Sequence, residues 1–404
     1  MRRFLSLALA LLATASPALS QEAEERWPDA FCREYRGTIG DKLKITMQLV
    51  CEPADSMRGG DFEFRGHYWY DNKKIPIQLW GGDDGWRALK LDEQVYAGTK
   101  RGHEHTGTFQ GKLNDNGTIS GNWTDGAGKK TLPFNLTPAS AEGAAKMELV
   151  ALESSWRERT KGGVASLENT ASVLQVSGVP GARRINQTLL EDAVTNFSDI
   201  EEDETVDKTA AQPPQKLKPV AKPVLTLESV SKVLLARKKE EMIENHEKWS
   251  FGYMSGVRLN QQGLLSTEHI SSDYTGGAHP NSLTSFRTFD TKTGEALELG
   301  KLLQPAFFKA LPKIASDKLK EVEGLAENEA IGPDAGLSIS PEEYEEDALH
   351  WFLTPQGLVI HFNPYQVAAY ARGNVQFTVP YAELKPYLTE KSALTRIVSE
   401  SFDG

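Results

Sequence analysis

The chain has 404 residues, 39% of them hydrophobic and 25% charged, a size that suits two or three domains with ordinary cores. Fifty-six acids against 45 bases give a formal charge of −11, which argues against a general nucleic-acid binder, since that needs a basic face for phosphates. The same balance favours a cationic partner through long-range steering.

Residues 1–20 read as a signal peptide. Arg2 and Arg3 precede an apolar run from Phe4 to Ala15, and Ala18-Leu19-Ser20 offers small residues for a peptidase. A run of this length is too short to span a bilayer as a helix. No later segment is long and apolar enough either. Gln21 rather than Cys follows the cut, so no bacterial lipid anchor is indicated. Loss of Arg2 and Arg3 takes the formal charge from −11 to −13. The expected product is exported and soluble: periplasmic, or secreted where the envelope has no outer membrane.

From residue 27 to 138 the pattern is short alternating strands. Ile45, Met47 and Leu49 alternate with Lys44, Thr46 and Gln48; Phe62, Phe64, Tyr68 and Tyr70 alternate with Glu63, Arg65, His67 and Trp69. Asp71-Asn72, Gly81-Gly82 and Asn114-Asp115-Asn116-Gly117 punctuate the runs, predicting an antiparallel meander whose strand count closes an eight-stranded up-and-down barrel. Gly66, Gly107 and Gly121 each stand two positions before an aromatic, as barrel corners require, and favour a packed interior over a ligand cup. The only two cysteines, Cys32 and Cys51, flank the first hairpin. In an exported protein a disulfide between them would close a loop of about 20 residues and contribute about 3 kcal/mol. The alternative is a pair of buried thiols. His103-Glu104-His105 places two imidazoles on one strand face, read as solvated surface in preference to a metal site. No metal or cofactor is expected.

An α+β domain is expected over 146–390. A hairpin over 146–177 precedes an amphipathic helix carrying Ile185, Leu189, Leu190 and Val194. Residues 199–224 are acidic and then proline-rich, the composition of a disordered insertion. A helix to about Glu247, strands near 249–260, 263–273 and 282–290, a helix at 305–322 and apolar strands at 357–363 and 374–380 complete the pattern, with a helix start at Ser340-Pro341.

Asp273-Tyr274-Thr275-Gly276-Gly277-Ala278-His279-Pro280-Asn281 resembles a known family, the PdaC/RsiV-like (DUF3298-type) extracytoplasmic domain. That domain occurs in a lysozyme-sensing anti-sigma factor and beside the catalytic domain of a peptidoglycan deacetylase. Matching stretches follow in order: Phe289-Asp290-Thr291-Lys292-Thr293-Gly294, Leu353-Thr354-Pro355-Gln356-Gly357-Leu358, Phe362-Asn363-Pro364-Tyr365 and Phe377-Thr378-Val379-Pro380-Tyr381. The resemblance covers about 165–388 and implies a domain that binds instead of catalysing. Neither a sigma-binding region nor a deacetylase motif is present, since no Asp-Gly follows Thr288-Phe289-Asp290.

Gly276-Gly277 permits a tight turn and Pro280 fixes its exit, which leaves His279 at the rim. Both this loop and the Asn363-Pro364-Tyr365 turn are read first as structural turns; if they recognise a ligand, Asp273, Tyr274, His279, Asn281 and Tyr365 are the candidate binding residues, with Tyr365 and Tyr370 expected to pack. The expected function is a non-catalytic envelope binding protein, its partner a cationic lysozyme or peptidoglycan fragments, and not nucleic acid. The alternative is an envelope hydrolase acting on peptidoglycan or its substituents.

Overall fold

The computed structural model describes residues 30–53, 62–83, 88–98, 102–159, 163–198, 248–326, 328–329, 331–332 and 336–398. The expected signal peptide, the expected disordered insertion at 199–224 and the helix expected before Glu247 lie outside them.

Eight antiparallel strands close a barrel: β1 (Phe31–Ile39), β2 (Leu43–Pro53), β3 (Phe62–Tyr70), β4 (Ile77–Asp83), β5 (Ala88–Tyr96), β6 (His103–Leu113), β7 (Ile119–Asp125) and β8 (Thr131–Ala139), the last pairing with β1. Period-two alternation sends one set of side chains inward, and aromatic rings fill the lumen. Tyr68 meets Phe109 edge-on with centroids 5.2 Å apart, and Phe109 meets Phe134 at 5.1 Å. A carboxylate shares this interior. Buried Glu93 accepts hydrogen bonds from Tyr68, from the Trp123 indole at 2.6 Å and from Thr106 at 3.2 Å. Burial and the Glu93 charge together push the Tyr68 phenol well above its ordinary range.

The second region is mixed. A five-stranded sheet runs in the order β13-β12-β11-β10-β9, from β9 (Lys146–Arg159), β10 (Val164–Ser177), β11 (Lys248–Gln261), β12 (Leu264–Tyr274) and β13 (Asn281–Asp290). Its β10–β11 pair is parallel and the rest antiparallel. Helix α1 (Ala182–Ser198) packs along β10 through Ile185, Leu189, Leu190 and Ala193. Short α2 (Leu299–Leu302) leads into α3 (Pro305–Glu323), whose Phe307, Leu311, Ala315 and Leu319 form one apolar stripe. That stripe shares a core with the three-stranded sheet β14 (His350–Leu353), β15 (Gly357–Phe362) and β16 (Val375–Pro380). Two single-turn helices, α4 (Tyr381–Leu384) and α5 (Thr395–Val398), follow β16. The sequence pattern does not single out β14, whose four residues are too few to display a period. At Ser340-Pro341 the helix start yields one 3-10 turn, Pro341–Tyr344.

Three asparagines splice these pieces by offering an amide to a neighbouring peptide group, accepting from its N–H and donating to its C=O. Asn260 does this at Ala145 (2.9 and 2.9 Å), Asn186 at Val176 (2.7 and 2.9 Å) and Asn363 at Thr284 (2.7 and 3.1 Å). Each satisfies both polar groups of one residue, which buried backbone demands.

The expected disulfide is corrected by register. Cys32 pairs with Val50 and Cys51 with Phe31, so the cysteines are one position out of step. In a pleated strand that offset sends them to opposite faces. Cys51 packs in the barrel interior with Phe31 and Tyr35, whereas Cys32 packs outside it with Val50, Leu149 and Val257. They are not bonded to each other. Burial pushes the Cys32 thiol up to about 12, the nearby Arg65 only partly opposing it, so it carries almost no thiolate at neutral pH. Reducing agent should therefore leave the melting temperature unchanged, and thiol reagent should label both cysteines only after unfolding. A reduction-sensitive melting temperature would restore the disulfide.

Candidate functional site

The residues singled out by sequence converge only in part. Asp273 and Asn281 are register partners at the open end of the β12–β13 ladder, joined by an Asn281 Nδ2 to Asp273 Oδ2 bond of 3.3 Å. The loop between them turns through Gly276 and Gly277, with φ of 102° and 99°, as the sequence implies. Tyr274 folds over this loop and donates to the Gly277 carbonyl at 3.3 Å. His279 leaves the loop and stacks on Tyr370, centroids 4.0 Å apart and planes 13° from parallel. Tyr370 donates to the Pro280 carbonyl at 2.7 Å, and Tyr365 lies 5.3 Å from the Tyr370 ring.

The result is an aromatic platform of His279, Tyr370 and Tyr365, drawn from two segments far apart in sequence. Tyr365 packs against Tyr370 yet remains 66% exposed. Tyr365 also has a φ of 70°. Left-handed backbone in a non-glycine residue costs on the order of 1 kcal/mol or more and tends to occur where a side chain is being aimed.

A second arrangement, missed by the sequence reading, lies where the outside of the barrel meets the five-stranded sheet. The outward side chains of β2 and β3 look solvated in the sequence, yet Gln48, Glu52, Arg65 and His67 are all buried. Arg65 forms a 2.7 Å ion pair with Glu52 and donates at 2.6 Å to the Ser255 carbonyl on β11. Gly256 makes that approach possible, since a Cβ there would lie 2.8 Å from an Arg65 guanidinium nitrogen. Arg258 is the extra residue of a β-bulge between Val257 and Leu259. The bulge puts Leu259 in the core around α3 while Val257 joins the core around α1. Arg258 itself pairs with Glu268 at 2.5 Å and caps the Phe352 ring at 5.2 Å. Burial alone would raise the Glu268 carboxyl, but Arg258 and Arg65 together hold it below its ordinary range.

Further inside, the Ser255 hydroxyl lies 3.2 Å from His269 Nδ1, and Thr267 engages His269 Nε2 at 2.9 Å. This serine–histidine pair resembles a nucleophile and its base, but Ser255 is 0% and His269 1% exposed. Among the described residues no three His, Cys, Asp or Glu side chains gather as a metal site. His105 instead contacts Thr108 at 2.8 Å and Asp92 at 3.5 Å on the barrel surface. No helix of the described residues is long and apolar enough to cross a membrane.

Comparison with known proteins adds a family label to part of the chain. Residues 301–382, from α2 to α4, match the model of a family described as "Protein of unknown function (DUF3298)". A solved DUF3298 member from Bacteroides fragilis is similar at 16% identity and a TM-score of 0.47, over 66% of this chain and 100% of its own. A DUF3298 protein from Pseudomonas aeruginosa is similar at 16% identity and a TM-score of 0.40, over 61% of this chain and 95% of its own. No curated protein matches.

Three buried histidines should make the stability of the protein fall in acid. Burial is the main cause in each case, lowering His67 to about 3, His269 to about 4 and His361 to about 4, with Glu268 opposing in all three. Each is neutral when folded but would protonate near 6.5 when unfolded. The unfolded chain therefore binds more protons, and stability should fall as pH drops from about 6.5 toward 4, by about 1.4 kcal/mol per pH unit for each histidine. Urea unfolding at pH 7, 6 and 5 should show this slope, and His361→Phe should make it shallower. A flat profile would mean that these groups are not buried as described.

Proposed function

We propose that this is an exported, non-catalytic binding protein of the cell envelope, and that the His279–Tyr370–Tyr365 platform is its recognition surface. The observation that carries this reading is Tyr365, a large aromatic ring held outward by a backbone conformation that costs stability. Exposed aromatic surface of this kind suits the centre of an interface, where rings contribute area at small entropic cost.

The partner class follows from charge. A chain with formal charge −11 attracts a basic protein, and aromatic faces accept arginine guanidinium groups through cation–π contact. A cationic lysozyme is the concrete partner suggested by the sequence resemblance. The resemblance spans the β12–β13 hairpin and the Asn363-Pro364-Tyr365 turn, which together carry His279 and Tyr365. The hydrolase alternative draws no support from Ser255 and His269, which solvent does not reach.

Calorimetric titration with a c-type lysozyme at low and moderate salt tests the reading. Binding should weaken as salt rises, and Tyr365→Gly should weaken it by about tenfold. Glycine relieves the positive φ but adds unfolded-chain entropy and gives up the Tyr370 contact, so the same change should leave stability within about 1 kcal/mol of the parent. Affinity unchanged in Tyr365→Gly would move the interface elsewhere. No heat at either salt, with turnover of peptidoglycan by the purified protein, would favour the hydrolase.

A further inference from the structure

A cavity of about 320 Å³ opens between the barrel and the five-stranded sheet, within the size range of small-molecule sites. It is separate from the aromatic platform. Its floor is one continuous cross-strand row on the outside of the barrel. Gln48 on β2 is registered with His67 on β3, His67 with Gln78 on β4, and Gln78 with Gln94 on β5. Adjacent strands lie about 4.8 Å apart, so the row offers an amide or imidazole at that interval. The row runs from buried to open: Gln48 and His67 are 5% and 2% exposed, while Gln78 and Gln94 are exposed. Ser282 and Thr284 of β13, with Asn374, face them from other walls.

Two polar atoms at the closed end have no protein partner, Gln48 Oε1 and His67 Nε2. The Gln48 amide nitrogen donates to Glu34, which fixes the oxygen as the atom left over. Leaving such groups unmade costs about 1–3 kcal/mol each, so a site that keeps them is suited to a ligand that completes them. The charges point the same way. Arg65 and Arg258 line the cavity, but each is committed to a carboxylate, Glu52 and Glu268 respectively. An anionic or cationic ligand therefore finds no uncommitted counter-charge among these four groups, whereas a neutral donor–acceptor ligand finds amides throughout. Trp80, 39% exposed, also lines the cavity and brings a broad aromatic ring to it.

Amides that give and take hydrogen bonds at regular intervals, two buried atoms awaiting partners, and a flat aromatic wall are together complementary to one chemical class. We propose that this cavity binds a neutral sugar of one or two pyranose rings. The ring hydroxyls engage Gln48 Oε1 and His67 Nε2 at the closed end and the Gln78 and Gln94 amides nearer the mouth. The apolar face of the ring lies against Trp80.

Full-length protein would be examined by saturation-transfer NMR and titration with glucose and N-acetylglucosamine. Glucuronic acid and N-acetylglycinamide would serve as charged and peptide-like probes. The expected result is saturable binding of at least one neutral sugar, weakened about tenfold by Trp80→Ala and by Gln48→Leu. Trp80 and Gln78 are exposed, so Trp80→Ala and Gln78→Ala should keep the parent melting temperature. They keep the test valid if Gln48→Leu fails to fold. Saturable binding that none of these changes weakens would overturn the proposal. So would the absence of sugar binding at tens of millimolar, tighter binding of glucuronic acid, or preference for the peptide-like probe. Lysozyme titration reads the aromatic platform, so failure there and failure here are distinguishable.

Discussion

The relation between the two halves of the molecule depends on a pair of buried ion pairs. Moving Arg65, Glu52, Arg258 and Glu268 out of water costs several kcal/mol per ion unless partners and hydrogen bonds are complete. Completion here requires parts from both halves. Glu52 and Arg65 come from barrel strands, the Ser255 carbonyl and the open space at Gly256 from β11, and Glu268 from β12. Such an array tolerates little sliding, because a small shift would cost Arg65 its bond to the Ser255 carbonyl and the space that Gly256 leaves for it. It fixes how the barrel sits on the sheet and leaves the polar cavity beside it. A second polar contact works in the same sense at another point of the seam, where Tyr96 of β5 donates to Glu323 of α3 at 2.9 Å and Arg372 pairs with the same carboxylate.

This seam explains what the sequence did and did not disclose. Alternation in β2 and β3 reveals which face is apolar, and so it predicts a filled barrel with Tyr68 and Phe109 inside. It says nothing of what covers the other face. Arg65 and His67 are indistinguishable by pattern from solvated strand residues, and only tertiary packing buries them. The cysteines fail for a narrower reason. Spacing around a turn brings Cys32 and Cys51 within one residue of pairing, and a single step of register decides between facing and opposing side chains. Arg258 belongs with these. A bulge inserts a residue without leaving a periodic trace, yet it is what carries Leu259 into a different core from Val257.

The motifs behind the family resemblance are mostly architectural. Asp290 accepts from the Lys292 and Thr293 amides at 2.8 and 3.3 Å and pairs with Arg396 at 2.5 Å. The Thr354 hydroxyl donates to the Gly357 carbonyl at 3.2 Å, and the Thr354 carbonyl accepts from Tyr381 at 2.8 Å. Asn363 clamps Thr284. Short polar residues that build turns are visible in sequence because the turn needs that residue type at that position. His279 was legible for the same reason, standing at the exit of a Gly-Gly turn beside Pro280. Its stacking partner Tyr370 was expected only to pack with Tyr365, because the contact with the hairpin spans 90 residues of chain.

The same strand serves both surfaces. β13 contributes Ser282 and Thr284 to the cavity wall, while Asn281 at its start pairs with Asp273 at the base of the platform loop. Asn363, which holds Thr284 by both backbone groups, stands two residues before Tyr365. The strained tyrosine is therefore hung from an anchor that is buried and fully hydrogen-bonded. That arrangement lets an exposed residue keep an unfavourable φ, since relaxing it would pull on a clamp whose loss leaves buried polar atoms unpaired. Strain at the platform is sustained by satisfaction beneath it, whereas the cavity keeps its unsatisfied atoms beside two ion pairs that hold the charges but leave Glu52 Oε2 and Arg258 Nε without a hydrogen bond.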